Sequence, residues 1–231
     1  LLINMASFLV WFSERNLELT DNIKIKLEKN SQIIKQIGAP AFIVALTASI
    51  PRFFLENLQG SDSLAVFGTF TYFNLIGNAI TISLFQSQIN TFTSVNMVKK
   101  IHKNFMLVLA LGVSGLILVV SFGEYIILYL FNEDLLGYLH LLPYFIGFII
   151  IFCIATSLEQ FLIFYGKTRY FFRINILLLL MSLITCPLLI NVSGLKGAIF
   201  YMYLISFCKL LFLYVIYYQS TQKELSAKLD G

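Results

Sequence analysis

The sequence predicts an all-α protein: a polytopic membrane helix bundle with six spanning helices, preceded by the end of another. Three observations carry this. Of 231 residues 58% are hydrophobic and only 12% charged, with a mean hydropathy of +0.84. The apolar residues run in continuous stretches near the length that crosses a bilayer, and the basic residues fall in alternate loops. Sixteen basic and twelve acidic side chains cannot coat a soluble domain of this size, so soluble enzymes, disordered chains and collagen-like repeats are excluded.

The chain opens Leu1-Leu2-Ile3-Asn4-Met5 and stays apolar to Phe12, with neither an initiator Met nor a basic leader. Residues 1–12 are read as the end of a truncated transmembrane helix, with Trp11 at the interface. Residues 13–35 form the long polar stretch. Ile23, Leu27 and Ile34 at helical spacing among Lys24, Lys26 and Lys29 allow an interfacial helix, and the narrowness of that stripe equally allows a solvated linker. The bundle occupies 36–218 and a cytoplasmic tail 219–231.

Six apolar segments are drawn at 37–58, 64–90, 105–123, 141–165, 174–190 and 197–218. Continuous apolarity, instead of alternation at every second residue, disfavours a β-barrel. Pro40 and Pro51 fall in the first segment and Pro187 in the fifth; membrane helices tolerate proline where a neighbour or water satisfies the freed carbonyls. Six crossings put thirteen of the sixteen Lys and Arg on one side, leaving Lys196 alone on the other and Arg52 and Lys209 inside segments. Asp62, Glu124, Glu133 and Asp134 lie on the basic-poor side. Cytoplasmic loops carry the basic excess, so a multi-pass protein of the cell membrane with a cytoplasmic C-terminus is expected.

No catalytic or metal signature is present. Cys153, Cys186 and Cys208 sit inside apolar segments at no ligand spacing, and His102 and His140 fall on opposite sides of the membrane. Gly166-Lys167-Thr168 lacks the upstream glycine of a phosphate-binding loop. No enzyme activity, cofactor, metal or nucleic-acid partner is expected, and any transport must draw on an ion gradient, the membrane potential or a partner.

The informative residues are polar ones inside the segments, because an ionisable group at a helix centre costs about 2.5–3.5 kcal/mol on insertion scales. Arg52 follows Pro51 in the outer third of its segment, with Glu56 one turn on. Arg52 either faces a hydrated cavity, where its forked donors suit phosphate, or snorkels to the headgroups beside an interfacial Glu56. Lys209 lies about 14 Å from the end of its segment at 1.5 Å per residue, too deep to snorkel easily, so it lines a cavity or pairs with a carboxylate, the alternative being lipid exposure with local bilayer thinning. Glu159 is one candidate partner; reaching the basic turn at Lys167 and Arg169 is the cheaper explanation for it. The second segment carries a polar stripe, with Asn74 and Asn78 on one face. These amides either bridge helices or bind sugar hydroxyls. Tyrosines at segment ends, such as Tyr217 and Tyr218, read as interfacial anchors.

Pro51-Arg52, the Glu56-Asn57-Leu58-Gln59-Gly60 turn, Leu64-Ala65-Val66-Phe67-Gly68 and Tyr72 resemble the middle of polysaccharide (O-antigen or capsule type) flippases. These belong to the multidrug, oligosaccharidyl-lipid and polysaccharide exporter superfamily. Tyr165-Gly166-Lys167-Thr168 and Gly194-Leu195-Lys196-Gly197-Ala198 look like the same family. The resemblance implies two helix bundles around a central cavity, this chain supplying the second. It implies a lipid-linked oligosaccharide as substrate, translocated from the inner to the outer leaflet, with polysaccharide polymerase and glycosyltransferases as associated partners. Arg52 and Lys209 match the cavity cations that hold the diphosphate; Glu56, Asn74, Asn78 and Glu159 complete the expected cavity set. The rivals are a lipid II flippase, a cation-coupled multidrug exporter, a membrane-bound polymerase or acyltransferase, and a structural partner subunit.

Overall fold

The computed structural model describes the backbone of residues 21–88, 97–131, 133–164, 166 and 168–229. The expectations for 1–20, including Trp11, and for the end of the second segment at 89–90 lie outside the described residues, as do the side chains of 21–37, with Ile23, Leu27 and Ile34, and those of Lys167 and Arg169. The described chain is helical, with no strand. Its elements are α1 (Asp21–Gln59), α2 (Ser61–Gln88), α3 (Met97–Leu130), a 3-10 segment (Glu133–Leu141), α4 (Leu142–Phe164) and α5 (Thr168–Leu229). Five helices are long and apolar enough to cross a membrane: Gly38–Gln59, Ser61–Gln88, Ile101–Leu130, Leu135–Phe164 and Tyr170–Gln219. Residues from Pro40 onward form one compact unit, to which Arg52, Glu56, Asn74, Asn78, Glu159 and Lys209 all belong.

One glycine separates α1 from α2. Gly60 has φ 84, a conformation open to glycine without a Cβ penalty. Its N–H still bonds the Glu56 carbonyl at 3.2 Å while its own carbonyl accepts from Leu64 N–H at 3.4 Å. One helix therefore ends as the next begins, and Asp62 in the first turn suits the positive end of α2.

The fifth helix differs from the two separate segments expected there. Fifty residues in a straight helix span about 75 Å, more than twice a hydrocarbon core. Gly194, at φ 55 and ψ −130, breaks the helix, and a Cβ at Gly197 would overlap the Leu189 carbonyl. The two arms fold back on each other. Phe171 and Lys209 would lie about 57 Å apart along one axis, yet the Lys209 ammonium is 5.9 Å from the centre of the Phe171 ring. The expected loop at 191–196 is thus helical except at Gly194, because one glycine suffices for the reversal. The expected loop at 124–140 is also mostly helical. α3 continues through the apolar Ile126-Ile127-Leu128 to Leu130, and the 3-10 segment covers most of the remainder.

The reversals at Gly60, at 131–141 and at Gly194 share one end of the bundle. Gln59 Oε1 lies 2.9 Å from where a Cβ of Gly194 would stand, Asp62 shares a pocket with Phe131 and Tyr138, and His140 shares one with Lys196. Central to the packing is α4, whose apolar residues cover its whole circumference and which buries the largest share of its length. Phe145 packs on Phe67 and Phe70 of α2, with ring centres 6.2 and 5.6 Å apart, and on Phe148 at 5.3 Å. In a bilayer small residues let helices approach. A Cβ at Gly77 of α2 or Gly112 of α3 would stand 2.8 Å from Ile149 and 2.6 Å from Ile150 respectively.

Candidate functional site

Lys209 lies on the second arm of α5 and Glu159 on α4, and their side chains form an ion pair while only 7% and 12% exposed. Lys209 therefore pairs with a carboxylate, as its depth predicted. Glu159 is thus the carboxylate that pairs with Lys209; the alternative link, to Lys167 and Arg169, falls on side chains outside the described residues. Phe152 and Phe171 flank the ammonium with ring centres at 5.8 and 5.9 Å, within the reach of a cation–π attraction.

Lys209 also lines a cavity of about 120 Å³, with Thr47 and Pro51 of α1, Asn74 of α2, and Asn175, Tyr201 and Ser206 of α5 among its walls. Such a volume accommodates roughly four waters at their share of liquid volume. Asn74 Oδ1 is buried with no hydrogen bond, and the buried Tyr201 hydroxyl lies beside Ser182. Asn175 instead donates from Nδ2 to the Phe171 carbonyl at 2.8 Å.

The other expected residues do not converge here. Arg52 is exposed, and its Nη2 donates at 3.0 Å to Thr71 Oγ1, whose hydroxyl donates in turn to the Gly68 carbonyl at 2.6 Å. This clamps α1 to α2 across the Gly60 turn and departs from the expected facing of Arg52 and Glu56. Glu56 is exposed and makes no ion pair among the described residues. Asn78 has a buried, unpartnered Oδ1 but is not in the cavity wall. Arg52 is eight residues before Gly60 and Lys209 fifteen after Gly194, so along the bundle they stand about 10 Å apart.

Asn175, Tyr201, Ser206 and Thr71 are additions that the sequence analysis does not single out. Tyr201 carries a usable signal, since 201, 205 and 209 share a helix face with Lys209 two turns on. Among the described residues no group of three His, Cys, Asp or Glu could hold a metal. No family model, curated protein or solved structure matches the chain.

The arrangement can exchange ion partners. A buried pair is held against a desolvation penalty, and each unpartnered polar group costs about 1–3 kcal/mol. An anion entering the cavity can take Glu159's place at Lys209 and accept from Tyr201 Oη, while Asn74 Oδ1, an acceptor, is open to a water or to a hydroxyl of the cargo.

Proposed function

We propose that this chain belongs to a membrane transporter that carries lipid-linked oligosaccharide repeat units from the inner to the outer leaflet for polysaccharide synthesis. The observation that carries the reading is Lys209, ion-paired with Glu159, on the wall of a cavity that also holds the unpartnered Asn74 oxygen and the buried Tyr201 hydroxyl. A diphosphate cannot cross hydrocarbon unaided and needs a cationic, hydrogen-bonding recess while its lipid tail stays in the bilayer. The cavity is the size of a phosphate head and not of a sugar chain, so the sugars lie toward the companion bundle that the flippase resemblance implies.

In this reading the two arms of α5 cross the membrane separately, giving six crossings. The shared end at Gly60, 131–141 and Gly194 is external, and the C-terminus is cytoplasmic. Arg52, about 12 Å from that end, keeps most of its five donors for cargo that has moved outward. The carboxylate at membrane depth, Glu159, is bound to Lys209, which favours an anionic cargo over the cations of a drug exporter.

The test is complementation. Expressed from its intact gene in a strain lacking its oligosaccharide flippase, the protein restores surface polysaccharide. Failure to restore it, with the protein present in the membrane, contradicts the reading.

A further inference from the structure

At the end of the bundle where the chain reverses, a second pocket of about 440 Å³ opens between the start of α4 and the α5 hairpin. Its size falls within the roughly 300–1,000 Å³ range of small-ligand sites. Leu189, Ile199 and Phe200 supply apolar walls, and Lys196, His140 and Ser193 supply polar groups. Its walls contain no carboxylate, and no carboxylate among the described residues pairs with Lys196. The pocket thus joins a cation that no described carboxylate neutralises to an apolar cleft.

The hairpin holds this pocket in shape. Tyr203 Oη donates at 2.6 Å to the Tyr144 carbonyl, joining the second arm to the first turn of α4. Lys196 follows the Gly194 break by two residues and is exposed. Its ammonium sits beside the cleft on the end of the helices, where lipid headgroups meet a spanning bundle.

We propose that this pocket binds an anionic phospholipid, its phosphate held by Lys196 with His140 and Ser193 as hydrogen-bonding partners and its acyl chain along Leu189, Ile199 and Phe200. Charge complementarity selects the anionic class. The apolar wall selects a lipid over a free phosphate. The site needs only that the chain lies in a bilayer, and it stands or falls independently of the transport reading.

The experiment is native mass spectrometry of the full chain released from detergent after incubation with phosphatidylglycerol or phosphatidylcholine. Phosphatidylglycerol gives the stronger adduct, Lys196→Ala weakens it about fivefold, as expected for one cation at a lipid surface, and Lys196→Arg restores it. Phe200→Ser weakens it as well, while millimolar inorganic phosphate does not displace it. Equal adducts for the two lipids, an unchanged Lys196→Ala adduct, or displacement by phosphate alone would each overturn the proposal. Lys196 is exposed, so its variants keep the fold, and unaltered thermal unfolding confirms that the readout is binding.

Discussion

Lys209 on the second arm of α5 and Glu159 on α4 meet as a buried ion pair flanked by the rings of Phe152 and Phe171. The pair fastens the hairpin to the central helix. Lys209 also lines the cavity, so packing and proposed chemistry share one residue.

Removing one partner leaves the other charged and uncompensated. Lys209→Met and Glu159→Leu are each expected to lose about 3–5 kcal/mol, while the two together recover most of the loss. Thermal unfolding in detergent measures this. Additive losses in the double variant would show that the two side chains do not depend on each other.

The uncharged polar groups of the cavity make the opposite prediction. Asn74→Leu removes a buried amide oxygen that has no partner, so stability holds or rises by about 1 kcal/mol, and Tyr201→Phe, which removes a hydroxyl beside Ser182, costs no more than about 1 kcal/mol. Transport falls, because the cargo loses those hydrogen bonds. A large fall in stability in Asn74→Leu would mean that this oxygen has a partner in the fold.

The hairpin of α5 depends on close backbone approach. Gly197→Ala drives a Cβ into the Leu189 carbonyl, and the loss is expected at about 1–3 kcal/mol or more, because backbone cannot rotate away. Gly115→Ala is the control: nothing lies within 4 Å of its added Cβ, and helix propensity favours the change by up to about 1 kcal/mol. Yield from the membrane and unfolding temperature separate the two.

Tyr203 and Gly147 form a coupled pair. Tyr203→Phe removes the bond to the Tyr144 carbonyl for about 0.5–1.5 kcal/mol. A Cβ at 147 would overlap Tyr203 Oη, so Gly147→Ala is costly beside tyrosine and milder beside phenylalanine. A double-mutant cycle reads the difference; equal costs in both backgrounds would contradict the contact.

The helical class is legible in the sequence because continuous apolar runs need internally satisfied backbones, and Lys209 stands out because charge at its depth requires a reason. Its partner is legible only as one of two options. Glu159 lies near a basic turn in sequence, and only the fold-back at Gly194 brings Lys209 against α4. The same fold-back carries Asn175 to the cavity from the first arm of α5. Helix ends escape the sequence where apolar residues continue past a charge, as at Glu124, since one exposed carboxylate does not end a helix. Arg52 and Glu56 show the limit of spacing arguments: one turn apart, they still do not pair, because Thr71 on α2 offers Arg52 an acceptor.

The most direct test replaces the gene in its own host with the Lys209→Met/Glu159→Leu form, which removes the charges without leaving either partner buried alone. Surface polysaccharide is measured at matched protein levels in the membrane. Loss of the polysaccharide with the protein retained is the predicted result. Normal polysaccharide would contradict the assignment of Lys209 as the cation that holds the cargo.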